Sequence, residues 1–288
     1  MGIVFYSIGD WGKLGPGLSA TSKSMGLMSD VVKPDFILSL GDNFYPDGVE
    51  NTTDLQWEYT YSQVFTHPNL FCEWYSILGN HDYILNPQAQ IDYYLQKKDT
   101  RWIMPSRYYY VIKTFGTKTL QIVCLDTVEL DVITSLYLLP KHVTHRENLF
   151  QSKSDKQLNW LEDVLAKSKA DWLILIGHYN MYTGGYHGSN RNLINLLKPL
   201  FIKYKVDMYI CGHCHNLEHL SDSGVEYVIS GSGAKKGQTS QTYQTKFNSE
   251  TNGYTIHKID NNILKTTFID SLTSKELYSF DIVQKRNL

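Results

Sequence analysis

The chain alternates short apolar runs with stretches whose apolar residues recur at helical spacing. Extended strands are predicted at five apolar segments that each close on a glycine and a polar residue: "IVFYSIGD", "FILSLGD", "WYSILGN", "DWLILIGH" and "DMYICGH". Between and after them, the helical period predicts helices near 18–33, 54–66, 87–98, 153–169 and 190–204. This βαβα order favours a sheet system with helices packed outside it.

The pattern changes in two parts of the chain. Paired strands are predicted at 107–115 and 119–125, and the irregular segment 126–152 predicts a long loop. From about residue 217 onward, "EYVISG", "GYTIHKID", "ILKTTFID" and "ELYSFDIV" predict antiparallel strands. No linker, low-complexity tract or repeat interrupts the sequence, so we predict a single α/β domain over 1–288 with a mixed sheet system.

Composition narrows the class of function. The chain is 42% hydrophobic and 19% charged, an ordinary globular composition with ample residues for a large core. The net charge of -2 and the pI near 6.5 argue against binding to nucleic acid or to an anionic membrane. No apolar run reaches the roughly 18 residues of a membrane helix. The N-terminus enters a strand at once, as a mature chain without its signal peptide does.

The four cysteines are too few and too irregularly spaced to predict a disulfide framework. Cys211 and Cys214 form a C-x-x-C pair, which suggests zinc or thiol redox chemistry, but a structural zinc site needs a second pair that the sequence lacks. We therefore interpret Cys72, Cys124 and Cys211 as small buried strand residues.

The five predicted strands share a chemical feature at their carboxyl ends. Each glycine is followed by a side chain that can bind a metal: Asp10, Asp42, Asn80, His178 and His213. In α/β sheets, ligands bind beyond the carboxyl ends of the strands, and glycine allows a sharp turn there. One such ending is commonplace, whereas five indicate a shared site.

Tyr45 and His215 extend this donor set. His213 and His215 stand at positions i and i+2 of an extended segment, so both side chains point to one side, about 7 Å apart. Seven donors exceed the needs of one tetrahedral zinc. They suit two cations about 3.5–4 Å apart that share a carboxylate, and we assign Asp42 as that bridge. The phenol oxygen of Tyr45, a hard donor once deprotonated, indicates ferric iron on one side.

The motifs "GDWG", "GDNFY", "GNHD", "GHYN" and "GHCH" resemble the five blocks of the purple acid phosphatases, within the calcineurin-like metallophosphoesterase superfamily. The order and gaps resemble those of the small tartrate-resistant (type 5) acid phosphatases, and the likeness extends over residues 3–283. It implies a four-layer α/β/β/α sandwich of two mixed β-sheets, with a dimetal site at the strand carboxyl ends.

The resemblance also implies a role for each site residue. Asp10, Tyr45 and His215 would bind Fe(III), whereas Asn80, His178 and His213 would bind a divalent ion (iron, zinc or manganese) and Asp42 would bridge the two. His81 and His187 match the family's two histidines near the leaving group, so we expect them to be catalytic.

The implied activity is hydrolysis of phosphate monoesters by in-line attack of a metal-bound hydroxide, with a histidine as general acid. Substrates would be small molecules, nucleotides or phosphoproteins, and inorganic phosphate or other oxyanions would also bind. The chain is expected to be a monomer and to be secreted or located in a lumenal or vesicular compartment. Two alternatives remain at this point. One is a nucleotide or diester phosphodiesterase of the same superfamily, against which Tyr45 counts. The other is a non-catalytic scaffold, which would be expected to have lost ligands.

The chain departs from the family in two respects. Residues 130–132 and 191–193 contain no cysteine where the animal enzymes' disulfide would be expected. The 129–152 loop, which limits activity in relatives, has its own sequence here, as does "GAKKGQTSQTYQTKFNS". Regulation and substrate preference are therefore the properties that the resemblance leaves open.

Overall fold

A computed structural model of the chain describes residues 2–133, 136 and 146–286, the side chains of 146–150 excepted. Within these residues, five α-helices flank two seven-stranded sheets. The helices are α1 (Pro16–Val31), α2 (Gln88–Leu95), α3 (Thr127–Leu130), α4 (Arg146–Lys167) and α5 (Arg191–Lys203). The strands are β1 (Ile3–Ile8), β2 (Phe36–Ser39), β3 (Glu73–Ser76), β4 (Trp102–Ile103), β5 (Tyr109–Phe115), β6 (Lys118–Cys124), β7 (Trp172–Gly177), β8 (Met208–Cys211), β9 (Leu217–Asp222), β10 (Val225–Ser230), β11 (Thr245–Ser249), β12 (Gly253–Asp260), β13 (Ile263–Asp270) and β14 (Glu276–Val283).

The first sheet has the strand order β14-β13-β12-β1-β2-β3-β4. Strands β1 to β4 run parallel, and their register places Ile8 beside Ser39 and Ser39 beside Ser76. Strands β12 to β14 continue the sheet in antiparallel fashion. The three longest parallel strands therefore end at one edge of the sheet, where the segments beginning at Gly9, Gly41 and Gly79 leave it.

The second sheet has the order β11-β9-β10-β8-β7-β6-β5. Its centre is parallel, since β6, β7, β8 and β10 run in one direction, and β5, β9 and β11 join them in antiparallel pairing. Every residue of β7 is buried, as expected for a central strand that is covered on both faces. Both sheets are thus mixed.

The alternation of side chains along the strands divides the core into two layers. Phe5 of β1 packs with Ile174 and Ile210 of the second sheet in a cluster between the sheets. Tyr6, the next residue along β1, points to the other face and belongs to the outer cluster that includes Leu18 of α1. The inner faces of the sheets therefore pack against each other, and their outer faces carry the helices.

The second sheet is covered in the same way by α4 and α5. Leu161 of α4 and Leu197 of α5 are fully buried in the outer cluster with Leu173 of β7. Phe201 of α5 packs against Tyr209 of β8, with ring centroids 5.7 Å apart. These layers give the four-layer α/β/β/α sandwich that the motifs implied.

The structure corrects several predicted boundaries. The segment predicted as a helix over 54–66 forms a single π-helical stretch, Trp57–Ser62. The loop predicted over 126–152 contains α3 and the first turns of α4, which begins at Arg146 rather than near 153. The 129–152 loop, whose sequence differs from that of the family, lies partly outside the described residues, since residues 134, 135 and 137–145 are not among them. Among those that are described, no helix combines the length and apolar character needed to cross a membrane.

Candidate metal centre

The donors predicted from the sequence come together where the two sheets meet. Asp10, Asp42 and Asn80 follow β1, β2 and β3 of the first sheet, and His178 and His213 follow β7 and β8 of the second. A backbone hydrogen bond crosses the junction, from the Gly9 N–H to the Ser230 carbonyl at 2.7 Å. Within the second sheet, the Gly212 N–H donates to the His178 carbonyl at 3.1 Å, which joins the turns after β7 and β8.

Three of these donors have left-handed backbone conformations. The φ angles of Asp10, Asp42 and His213 are 56°, 50° and 68°, a region that residues other than glycine rarely occupy. Each such residue costs about 1–3 kcal/mol and persists only where the surrounding structure requires it, which is typical of functional sites. The conformation turns each side chain inward at the end of its strand.

Tyr45 is the centre of a first group of donors. Its hydroxyl lies 2.9 Å from Asp10 Oδ1 and 2.7 Å from Asp42 Oδ2, either of which can accept its single hydrogen. His215 Nε2 lies 3.4 Å from the same hydroxyl and 3.5 Å from Asp10 Oδ1. An anionic oxygen, a phenol and an imidazole thus converge on one point.

His178 is the centre of a second group. Its Nδ1 lies 2.9 Å from the Leu40 carbonyl oxygen, to which it donates, so its Nε2 is the nitrogen that faces the site. That Nε2 lies 3.1 Å from Asn80 Oδ1 and 3.4 Å from Asp42 Oδ1. The ring of His213 lies beside this group, its centroid 5.2 Å from that of His178.

Asp42 connects the two groups, because Oδ2 faces Tyr45 and Oδ1 faces His178. Ligand atoms of Asp10, Asp42 and His178 lie within 4.8 Å of one another, and all three side chains are buried. A shared carboxylate between two clusters of oxygen and nitrogen donors suits a pair of cations. The donor set therefore fits a dimetal centre.

The electrostatics of the site favour bound cations. Burial, followed by the charges of Asp10 and Asp42, raises the pKa of the Tyr45 phenol well above its usual value. Burial opposes charge on His178, but the charges of Asp42 and Asp10 outweigh it and raise the imidazole pKa. Burial likewise opposes charge on Asp10, yet its hydrogen bond with His215 and the neighbouring histidine charges lower its pKa. Two carboxylates are thus held in a buried site whose negative charge a cation would offset.

His81 and His187 line the same cavity of about 220 Å³ as Asp42, Asn80, His213 and His215. The His81 backbone N–H donates to Asp42 Oδ1 at 2.9 Å, and its Nδ1 is hydrogen-bonded to the Pro46 carbonyl. His81 Nε2 is therefore free of that carbonyl and lies 3.9 Å from Asp42 Oδ2. The ring of His187 stacks on that of His213 at 4.0 Å, and burial, followed by the charge of His215, lowers the pKa of His187 to about 4.

The fold and this donor geometry are matched by known proteins. Residues 3–217 match the calcineurin-like phosphoesterase family. The chain belongs to this family. Purple acid phosphatase 7 of Arabidopsis thaliana is 34% identical to it over 236 residues, which cover 80% of this chain and 70% of that protein. Tartrate-resistant acid phosphatase type 5 of Oryctolagus cuniculus is 37% identical over 240 residues, which cover 80% of this chain and 72% of that protein.

A solved structure also covers nearly the whole chain. GAP50 of Plasmodium, described as the anchor in the inner membrane complex, superposes with a TM-score of 0.85 at 26% identity, over 99% of this chain and 90% of that chain. The family match and the two acid phosphatases confirm the predicted family and enzyme class, and the layers of the structure confirm the predicted fold class. This calcineurin-like phosphoesterase is an acid phosphatase with a dimetal centre that acts on phosphate esters.

Sequence reasoning missed Asp82, which holds the phosphoesterase motifs "GDNFY" and "GNHD" together. Its carboxylate is buried and accepts N–H groups from Gly79 at 2.8 Å, Asn43 at 3.1 Å and Phe44 at 3.2 Å, and from the Gln90 side chain at 2.8 Å. Burial and the charge of Asp42 raise its pKa to about 7. The only sequence signal was its place at the end of "GNHD".

Aromatic residues anchor two of the three ligand loops of the first sheet, those after β1 and β2. Trp11 follows Asp10 and Phe44 precedes Tyr45, and their rings pack edge to face with centroids 5.9 Å apart. The Trp11 indole donates to Ser39 Oγ at 2.7 Å, which ties the loop after β1 to the end of β2. Each of these two loops thus combines a side chain that faces the site with one that enters the core.

The cysteines take no part in a disulfide, since all four are free. Cys124 and Cys211 are buried strand residues, as predicted. The prediction for Cys72 is wrong, because this residue is half-buried and precedes β3, which begins at Glu73. Cys214 is buried beside the site, where its Sγ lies 3.4 Å from Asn180 Oδ1.

Proposed function

We propose that the chain hydrolyses phosphate monoesters at a centre of one Fe(III) and one divalent ion: iron, zinc or manganese. The orientation of Asp42 carries this proposal. Its Oδ2 lies 2.7 Å from the Tyr45 hydroxyl, and its Oδ1 lies 3.4 Å from His178 Nε2. A carboxylate with one oxygen toward each group of donors is what a bridging ligand requires.

The two groups of donors support a specific assignment. In this assignment, Fe(III) is held by Asp10, Tyr45 and His215, the divalent ion by Asn80, His178 and His213, and both by Asp42. The raised pKa of Tyr45 means that its phenolate forms only beside strong positive charge, which a trivalent ion supplies. Asn80 is a neutral oxygen donor and suits the divalent ion.

When bound, the two cations would neutralise charge on the phosphate oxygens and acidify a water molecule. The chain's own contribution is proton transfer. His81 is held by the Pro46 carbonyl at Nδ1, so Nε2 is the atom that would donate a proton to the departing alkoxide. As the water oxygen adds to phosphorus, the P–O bond to the alcohol breaks, and the alcohol leaves with that proton. We assign His187, which lines the same cavity, to hydrogen bonding with the phosphate.

We treat residues 1–288 as one domain, because a complete site needs both halves of the chain. Asp10, Asp42 and Asn80 follow strands of the first sheet, and His178 and His213 follow strands of the second. Neither sheet alone supplies both groups of donors.

A non-catalytic scaffold is the second candidate function, and the similarity to GAP50, which is described as an anchor, favours it. The complete donor set and both accessory histidines favour the enzyme instead, since a scaffold has no need of seven converging ligands. A phosphodiesterase is less well supported, because the two relatives reported above are named acid phosphatases and Tyr45, the donor that indicates ferric iron, contacts both Asp10 and Asp42.

The experiment compares iron-reconstituted wild-type protein with Tyr45→Phe and with the control Tyr243→Phe, whose ring is 95% exposed. Metal content, visible absorption, and hydrolysis of an aryl phosphate and a bis-aryl phosphate are measured between pH 4 and 8. We expect about two metals per chain in the wild type, visible absorption, and preferential hydrolysis of the monoester. Tyr45→Phe is expected to lose the absorption, whereas Tyr243→Phe keeps it.

Three results would count against the proposal. Absorption retained in Tyr45→Phe would refute the ferric assignment to this tyrosine. Faster hydrolysis of the bis-aryl phosphate would favour the phosphodiesterase. A folded wild-type protein that binds no metal and hydrolyses neither ester would favour the scaffold.

A further inference from the structure

A cavity lies on the outer face of the second sheet, away from the metal centre. Its volume is about 480 Å³, the usual size of a small-molecule site, and β5, β6 and the end of α4 line it. Thr119 and Ala170 line it near the amino-terminal ends of β6 and β7, whereas the metal centre follows the carboxyl ends of the parallel strands. None of the described residues is shared between this cavity and the 220 Å³ cavity of the metal centre.

Apolar side chains form much of the cavity wall. Tyr110 and Ile112 of the edge strand β5 are 48% and 54% exposed. Trp160 and Val164 of α4 also line the cavity, and the Trp160 ring packs against that of Tyr108 with centroids 4.7 Å apart. Helix α4 therefore leaves part of this sheet edge uncovered, where aromatic and aliphatic surface is available to a ligand.

Gln121 of β6 is the polar residue that departs from this pattern. It pairs with Ile112 of β5 and with Leu173 of β7, so its side chain lies on the outer face of the sheet with theirs. Leu173 belongs to the outer core, and Gln121 is itself only 3% exposed. Among the residues that the structure describes, none forms a hydrogen bond with the carboxamide of Gln121.

The carboxamide of Gln121 opens into the cavity. Neither of its polar atoms is among the unpaired side-chain atoms of the described residues that are sealed from solvent, so both are reached from the cavity that Gln121 lines. A carboxamide offers an oxygen that accepts and N–H groups that donate. Since buried polar groups in proteins are nearly always hydrogen-bonded, an unpaired amide that faces a cavity points to a ligand.

Other polar groups of the wall already have partners. Lys167 Nζ lies 2.6 Å from Asp163 Oδ1, so the two charges neutralise each other. Thr119 Oγ1 donates to Asp171 Oδ2 at 3.0 Å. These groups offer a ligand no unpaired charge, whereas Gln121 offers an unpaired neutral amide. The wall therefore favours a neutral, largely apolar ligand with one polar edge.

We propose that this cavity binds a neutral aromatic carboxamide, a flat ring that carries a primary amide group. Two amides placed edge to edge satisfy each other, because the N–H of each donates to the oxygen of the other. The Gln121 amide would form this pair with the ligand, and Tyr110 and Trp160 would contact its ring. Binding at this site is separate from the proposed hydrolysis and does not depend on it.

Benzamide and N,N-dimethylbenzamide are matched probes, because they share the ring and the carbonyl but only benzamide has N–H groups. NMR titration of the metal-loaded protein measures the Kd of each probe, with inorganic phosphate in excess to occupy the metal centre. We expect benzamide to bind with a Kd of about 1 mM, ordinary for a ligand of this size. The ratio of the Kd of N,N-dimethylbenzamide to that of benzamide is expected to be about 10, the effect of one additional hydrogen bond.

Gln121→Leu is expected to lower this ratio to about 1, because leucine fills the position without a hydrogen-bonding group. Gln241→Leu, at an exposed position outside the cavity, is the control and should keep the wild-type ratio. A wild-type ratio in Gln121→Leu would overturn the inference, and so would the absence of saturable benzamide binding to the wild type.

Tyr110→Ala decides the question if Gln121→Leu does not fold, since Tyr110 is an exposed residue of an edge strand. This variant is expected to weaken both probes about threefold, the effect of losing one aromatic contact. Unchanged affinities in Tyr110→Ala would place the probes outside the cavity and overturn the inference. A protein that hydrolyses no phosphate ester would contradict the proposed function alone, because every readout here is binding.

Discussion

At the scale of single residues, the site depends on a carboxylate that is no proposed ligand. Asp82 accepts three backbone N–H groups from the loops that carry Asp42 and Asn80, and a fourth hydrogen bond from the Gln90 side chain. All of these groups lie in the core, where an unpaired donor costs far more than a paired one contributes. The positions of Asp42 and Asn80 are therefore fixed from behind by one side chain.

Asp82→Ala is expected to lower the free energy of unfolding of the metal-free protein by at least about 3 kcal/mol, because several buried N–H groups lose their acceptor. Metal affinity is expected to fall about 10- to 100-fold, as for other residues that hold metal ligands in place. Denaturant titration with chelator and equilibrium metal binding measure the two effects. Asp163→Asn, at an exposed i, i+4 ion pair with Lys167, is the control and should change neither. Unaltered metal affinity in Asp82→Ala would show that the loops hold their shape without this carboxylate.

Five of the seven donors could be predicted from the sequence because each directly follows an apolar run and a glycine, a local pattern. The hydrogen bonds of Asp82 and the position of Lys235 over Tyr45 could not be predicted, because both depend on contacts that span the chain. Asp82 accepts from Asn43, 39 positions away, and Lys235 lies over Tyr45, 190 positions away. No period or spacing in the sequence records such contacts.

At the scale of elements, the site depends on how closely the strand ends approach one another. Gly79 lies between the end of β3 and the donor Asn80. A Cβ at this position would lie 2.2 Å from Asp42 Oδ1 and 2.3 Å from the Asp42 backbone nitrogen. Real Cβ atoms do not approach other atoms so closely, and the backbone nitrogen cannot rotate away. Any side chain at residue 79 must therefore displace the proposed bridging ligand.

Gly79→Ala is expected to weaken metal binding about 10- to 100-fold through this displacement. Gly224→Ala is the matched control. Gly224 lies in the two-residue turn between β9 and β10 at φ 80°, and a Cβ there would meet no atom within 4 Å, so alanine adds only backbone strain. Gly224→Ala should therefore lower the free energy of unfolding by about 1 kcal/mol without changing the metal affinity. Equal metal affinities for the two variants would contradict the steric argument.

The elements that were missed are short or polar. β4 has two residues, too few for any period to show. β9 and β11 read "LEHLSD" and "TKFNS", and their polar residues take strand positions because neighbouring strands supply partners. His219 of β9, for example, is buried between Glu226 and Tyr278, with its Nε2 3.0 Å from Glu226 Oε2 and its Nδ1 3.1 Å from the Tyr278 hydroxyl. The burial of polar residues in these strands depends on tertiary contacts, which override the intrinsic strand propensity of the segment.

At the scale of the whole molecule, the space between the sheets contains a neutral histidine. His257 of β12 is fully buried and stacks on Phe5, with ring centroids 4.6 Å apart. Its Nε2 lies 2.9 Å from Thr255 Oγ1 and 3.1 Å from Ser7 Oγ, and its Nδ1 lies 2.9 Å from Thr266 Oγ1. Hydroxyl groups satisfy both nitrogens without supplying a negative charge, so burial lowers the pKa of His257 to about 3.

This histidine couples the stability of the sheet packing to pH. Between the unfolded pKa of about 6.5 and the folded pKa of about 3, the unfolded chain binds a proton at His257 that the folded chain does not. The free energy of unfolding therefore decreases as the pH falls through this window. The contribution reaches about 2–3 kcal/mol on going from pH 7 to pH 4.5, within the range in which an acid phosphatase is assayed.

His257→Gln isolates this contribution, because glutamine keeps a donor and an acceptor but does not titrate. The variant is expected to be less stable than the wild type at pH 7, where its poorer packing against Phe5 is the only difference. As the pH falls to 4.5, the difference should shrink by about 2–3 kcal/mol, since the wild type alone bears the cost of the uncharged imidazole. Urea titration of the metal-free proteins at several pH values measures both free energies. A difference that stays constant from pH 7 to pH 4.5 would mean that His257 accepts a proton in the folded state, and that the sheet packing admits charge between its layers.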